Sequence, residues 1–229
     1  MNLLLMLLPL VLLQAETKPV MQSHRIQGDV SLTADPNQPA WKNVKGVVTS
    51  IDPFGKPLPN ARTEIRSVWS DRYLYFFFVS QYERLYLQKP ATPHKETWGL
   101  WEYDVVEVFI GWDAERIHLY KEFEVSPQGE WVDLDVDNNK PPKQTVNWLW
   151  NSGFEFKTRI DEKNKVWFCE MRIPWKSIDP RTPAAGNELR LNLYRIEGGP
   201  PDRRYIVWSP IHNPSFHTPK GFGTLRLSK

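Results

Sequence analysis

The chain has 229 residues, 41% of them hydrophobic, which is enough for one domain with a sizeable core and short for two. Its 29 basic and 27 acidic residues leave a formal charge of +2, which gives no electrostatic footprint for nucleic acid or an anionic membrane surface. The 20 prolines interrupt regular helix and, together with 11 Trp, 11 Phe and 8 Tyr, argue against a helical bundle.

Met1 to Leu13 is an apolar run ended by Gln14-Ala15-Glu16. It is too short to span a bilayer comfortably, and Ala15 offers a small residue for cleavage. Residues 1–15 therefore read as a signal peptide, leaving residues 16–229 as one secreted or periplasmic domain that does not insert in a membrane once the leader is removed. The single cysteine, Cys169, allows no internal disulfide. Its place between Phe168 and Glu170 in an alternating run marks it as a buried small hydrophobe.

Residues 16–60 carry Pro19, Pro36, Pro39, Pro53, Pro57 and Pro59 around an isolated Trp41, an extended lead-in with one or two short strands. Strands near 62–69 and 73–80 form a hairpin across Ser70-Asp71-Arg72. Further strands are expected near 104–111, 117–125 and 130–135, the last two joined by the turn Pro127-Gln128-Gly129. Strands near 153–161 and 165–173 follow, then one helical turn at Pro174-Trp175-Lys176-Ser177-Ile178. Strands near 188–197, 204–208 and 222–227 end the chain. About ten short strands without sustained helical period indicate an all-β antiparallel β-sandwich.

The densest chemistry lies at Trp101-Glu102-Tyr103-Asp104-Val105-Val106-Glu107-Val108-Phe109-Ile110. Trp gives a rigid apolar face for ring stacking, and ionised carboxylates accept hydrogen bonds from hydroxyls, the two requirements of sugar recognition. Alternation puts Val106, Val108 and Ile110 on one face and Val105, Glu107 and Phe109 on the other, so Glu107 leaves the core side for water or a ligand. Glu122 and Glu124, and further on Asp133 and Asp135, would join Glu107 in one acidic patch if the strands pair in order. A solvated sheet face is the plainer explanation of those carboxylates. Calcium suits hard oxygens, but no loop has the spacing of a dedicated calcium site. Paired carboxylates also raise glycoside hydrolysis, using two of Asp104, Glu107, Glu122 and Glu124. No nucleophile elbow, zinc-helix motif, Walker loop or dinucleotide glycine pattern is present, and the five histidines lack metal-ligand spacing. Core packing is expected for Trp41, Trp69, Trp167, Trp175 and Trp208, but not for Trp101 or for Phe216 in its proline-bracketed loop.

Five segments in order resemble the family 9 carbohydrate-binding modules, in their broad family-9-like group. These are Ile26-Gln27-Gly28-Asp29 leading to Trp41, then Thr63 to Tyr75, Trp101 to Glu107, Glu170 to Trp175, and Phe216 through Phe222-Gly223-Thr224-Leu225. The resemblance implies a β-sandwich that binds carbohydrate at a chain end, non-catalytically, in the service of polysaccharide catabolism. Two aromatics would sandwich the terminal ring: Trp101 matches one, and Phe216 stands where the other is usually Trp. Glu107 matches the acidic hydrogen-bonding position, and Asn213 falls near an asparagine that precedes the second aromatic. Where members have an arginine on the following strand this chain has Glu124, an acceptor in place of a forked donor. The resemblance also implies structural calcium in some members. A cell-surface scaffold that has lost sugar binding is the third reading.

Overall fold

Strands form where an alternating apolar set finds a partner face to bury it. The computed structural model describes residues 17–229, and the signal-peptide reading of residues 1–15 lies outside them. The proline-rich lead-in forms β1 (Val20–Arg25), the single turn α1 (Pro39–Lys42) and β2 (Val47–Thr49). The expected hairpin is β3 (Thr63–Trp69) with β4 (Tyr73–Gln81), Trp69 opposite Leu74. An antiparallel meander follows of β5 (Val105–Gly111), β6 (Leu119–Val125) and β7 (Trp131–Asp137), edged by β8 (Val146–Asn147). A second hairpin, β9 (Glu155–Asp161) and β10 (Val166–Pro174), runs into the helical turn α2 (Trp175–Ile178). The last strands are β11 (Glu188–Glu197), β12 (Arg204–Val207) and β13 (Gly223–Ser228).

The strands lie in the order β8-β7-β6-β5-β11-β13-β1-β3-β4-β10-β9, with β12 beside β11 and β2 beside β3. This sheet curls into a sandwich. One layer gives Val106, Val108, Ile110, Phe123 and Leu191 to the central core, and the other gives Ile65, Phe76, Phe78, Cys169 and Met171. Pairing is antiparallel except at β1, which runs parallel to both β13 and β3. No tight turn ties β1 to either neighbour, so nothing compels the antiparallel sense a hairpin imposes.

Both outer faces are also covered. On one, the lead-in packs Val30, Ala34 and Trp41 against Val68, Tyr75, Phe77 and Phe168, which is why β4 is apolar on both sides. On the other, Leu100, Ile211 and Phe222 from loops cover Val105, Phe109, Tyr120, Leu134 and Tyr194. Trp41, Trp69, Trp167, Trp175 and Trp208 are all buried, and so is Cys169.

One expectation is corrected by the register. Glu124 faces Val132 and Glu122 faces Leu134, whereas Phe123 faces Asp133 and Lys121 faces Asp135. Cross-strand partners share a sheet face, so Asp133 and Asp135 turn away from the glutamates. Asp133 instead accepts from the N–H (2.8 Å) and hydroxyl of Ser152, and Asp135 pairs with Lys121. A one-residue offset, invisible without the partner strand, decides the face.

Candidate functional site

The loop-covered outer face of β5, β6 and β11 opens into a cleft of about 350 Å³. Its floor is set by strand register: Glu107 lies directly across from Glu124, and Glu122 is across from Phe109 on the same face. All three carboxylates line the cleft and are almost wholly buried, at 1, 1 and 3% exposure for Glu107, Glu124 and Glu122. The predicted parity of Glu107 is therefore observed, but its face meets loops and a cavity rather than bulk water.

The walls are aromatic. Trp101 sits on a single 3-10 turn, Leu100–Glu102, entered through Gly99 at φ 83°, a left-handed backbone that glycine adopts without steric cost. Its indole meets Trp98 edge to face at 4.9 Å, and Trp98 in turn meets Trp148 at 5.8 Å. Trp98 is 50% exposed, a large apolar ring left to solvent at the cleft mouth. Across the cleft Phe216 stacks on Tyr194 at 4.1 Å and 12°, with Tyr205 edge-on at 5.8 Å. The Tyr194 hydroxyl donates to the Phe216 carbonyl at 3.1 Å and so pins the loop that carries the ring.

Four of the sequence-predicted residues, Trp101, Phe216, Glu107 and Glu124, thus come together around one cavity. Asn213 does not line it: its side-chain oxygen accepts the Ser215 N–H at 2.8 Å, shaping the exposed loop ahead of Phe216. Asp104 is also elsewhere, accepting from the Gly198 N–H at 2.6 Å. Sequence analysis did not place Trp98, Tyr205 or His217 in the site. Tyr205 carries the one legible signal, a 40% exposed aromatic in a strand, but exposure itself is a tertiary property.

Burial raises all three floor carboxyls. Glu107 and Glu124 are held well above the usual carboxylate range, with the neighbouring glutamate charges adding to the effect of desolvation. Glu122 is raised less, because His217, 4.0 Å away, and a hydrogen bond shared with Glu124 offset its burial. Away from the cleft, burial pushes Asp104 up to about 6, while hydrogen bonds from Arg116 and Glu115 hold half-buried Asp113 down at about 2.

A carboxyl raised in the folded state favours folding most below its unfolded range, and that contribution is lost as pH rises through the folded value. For Asp104, a shift from 3.8 to about 6 corresponds to about 3 kcal/mol. Asp113 acts with the opposite sign but below pH 4, so the windows do not overlap. The melting temperature should therefore fall between pH 5 and pH 7.5 at constant ionic strength. Glu124→Gln, which removes one of three crowded charges, should flatten that fall and stabilise the protein at pH 7.5 by on the order of 1 kcal/mol. An unchanged slope in calorimetric melts of the variant would remove the glutamate cluster as a source of the effect.

Among the described residues, Glu107, Glu122 and Glu124 form the one group of three potential metal ligands, one oxygen of each lying within 4.8 Å of the others. The remaining lining is aromatic and aliphatic apart from His217, so any calcium shell here would be built from these three carboxylates with water completing it. No helix among the described residues is long and apolar enough to cross a membrane.

A loop-rimmed cleft with aromatic walls and a carboxylate floor, on a β-sandwich, defines a small-ligand-binding module. The chain belongs to the carbohydrate family 9 binding domain-like family, whose profile matches residues 36–229. It is 28% identical over 192 residues to endo-1,4-beta-xylanase A of Thermotoga maritima, covering 82% of this chain but 16% of the xylanase. It is 27% identical over 178 residues to an extracellular protein of Arthroderma benhamiae, covering 72% of this chain and 77% of that one. The fold is shared with a family 9 carbohydrate-binding module of Caldicellulosiruptor kristjanssonii solved with cellotriose. That match has TM-score 0.66 and 16% identity, and covers 92% of this chain and 94% of that one. A second structure of a module from that organism, with glucose, matches at TM-score 0.64 and 16% identity, covering 91% of this chain and 96% of that one.

Proposed function

We propose that this protein is an exported, non-catalytic carbohydrate-binding protein that takes the terminal ring of a saccharide chain into the cleft and contributes to polysaccharide breakdown. The observation that carries the reading is the convergence of Trp101 and Phe216 above the carboxylates of Glu107 and Glu124. The rings offer apolar faces to the sugar's C–H surface, the carboxyl oxygens orient its hydroxyls, and Asn213 holds the shape of the loop at the rim. Against hydrolysis, the three glutamates come from adjacent strands on one floor, whereas an acid and a nucleophile or base must flank the scissile bond. Export is supported by the apolar leader-like residues 1–15 and by the extracellular description of the Arthroderma relative.

Calorimetric titration with glucose, cellobiose and cellotriose, each also in its end-reduced form, tests the reading. Saturable binding that disappears on reduction is the expected result and defines chain-end recognition. Absence of binding to every saccharide would overturn it in favour of a scaffold role.

A further inference from the structure

The cleft floor holds more unpaired carboxyl oxygens than the walls around it can satisfy. Oε1 of Glu107, Oε2 of Glu122 and Oε2 of Glu124 are buried and accept no hydrogen bond from any donor group around them. No lysine or arginine lines the cleft. His217 stands 4.0 Å from Glu122 and has its Nδ1 engaged with the Tyr120 hydroxyl at 2.7 Å. Buried carboxylates without a counter-charge are costly, and three together also repel one another. Such an arrangement is relieved by protonation or by a cationic partner that pairs with the carboxylates.

We propose that the saccharide recognised here carries a protonated amino group, which sits on Glu107, Glu122 and Glu124 while the sugar ring is held between Trp101 and Phe216. This inference rests on the sugar-binding reading and names its ligand class, an amino sugar with a free amine. The geometry suits an ammonium. It has three N–H donors, one for each oxygen that lacks a donor. Three acceptors each about 2.8 Å from one tetrahedral nitrogen lie roughly 4.6 Å apart, and the three carboxylates supply an oxygen apiece within 4.8 Å of one another, close enough for one ammonium to reach all three. The faces of Trp98, Trp101, Tyr205 and Phe216 add cation–π attraction for a charge entering between them. A divalent metal would need water to complete its shell, and the floor beyond the three glutamates is Phe109, Leu134, Val146 and Ile196, which offer such water no side-chain partner, whereas an ammonium is satisfied by the three carboxylates alone. An N-acetylated sugar would bring a neutral amide and leave the charge unbalanced.

The test is calorimetric titration of the protein at pH 7 with β-1,4-linked glucosamine disaccharide, its N-acetylated form and cellobiose, with and without calcium. The amine-bearing disaccharide is expected to bind at least tenfold tighter than either neutral one. That ratio should collapse to below about threefold in Glu124→Gln and in Glu122→Gln, each checked for a native melt. Cellobiose binding as tightly as the amine would overturn the inference while leaving the sugar-binding reading intact, and absence of binding to all three would overturn both. An amine preference that survives both substitutions would overturn the assignment to these glutamates. Calcium-dependent cellobiose binding without amine preference would overturn it in favour of a metal.

Discussion

Trp101→Ala is expected to weaken saccharide binding by about 1–3 kcal/mol, or roughly 5- to 150-fold in Kd. The indole stands on a one-turn element at the cleft wall, edge-on to Trp98 and packed at the margin of the apolar cluster beneath the cleft, so its removal deletes a stacking face and loosens that margin while leaving the central core intact. Melting should therefore shift by a few degrees at most while affinity falls. Phe216→Ala should cost a similar amount of binding with a larger loss of stability, because its ring also covers Tyr194 at 4.1 Å. Phe216→Trp, which enlarges the stacking face, should bind at least as well as the parent. Titration of the three variants beside the parent decides the matter: a Trp101→Ala protein that binds like the parent sinks the clamp.

The second large effect concerns Glu170, on the sheet face opposite the cleft. This carboxylate is fully buried and accepts the backbone N–H groups of Thr33 (2.7 Å) and Ala34 (2.8 Å) on one oxygen and Trp41 Nε1 (2.7 Å) on the other. It is the polar pin beneath the apolar cluster that closes the lead-in over β4 and β10. Glu170→Ala strands three donors, those of Ala34 and Trp41 buried, and should cost about 3–5 kcal/mol, a large part of a typical domain's 5–15 kcal/mol. Glu170→Gln keeps one acceptor but turns an N–H₂ toward donors, so it should fall between alanine and parent. Urea denaturation measures the order. A loss under 1 kcal/mol for alanine would mean that packing around Trp41 alone holds the lead-in. Saccharide affinity of the folded fraction should be unchanged, since the cleft lies on the other outer face.

Much of this architecture was legible in the residues. Alternation located the principal strands to within a few positions, Ser70-Asp71-Arg72 and Pro127-Gln128-Gly129 marked their turns, and the five tryptophans expected in the core are buried there. The Gly129 N–H closes its turn on the Ser126 carbonyl at 3.1 Å, as the tripeptide suggests. These features are local: side-chain period and turn chemistry are written into a few consecutive residues. Trp101, Glu107, Glu124 and Phe216 were also nameable from the chain, two by residue type next to strand or loop and all four through family resemblance.

What the tertiary structure alone decided is non-local. Parity states that Glu107 opposes Val106, but only the loops carrying Leu100, Ile211 and Phe222 turn that opposite face from a solvated surface into a buried cleft. Register against β6 sends Asp133 and Asp135 to the other side and leaves three glutamates together. The parallel insertion of β1, the seat of Phe216 on Tyr194 and the reach of Glu170 to Trp41 join residues 22 to more than 200 positions apart. By itself the sequence determined which residues share a strand face. Which faces meet water, core or ligand was set by packing, because burial is a property of what covers a face and the covering segments come from distant parts of the chain.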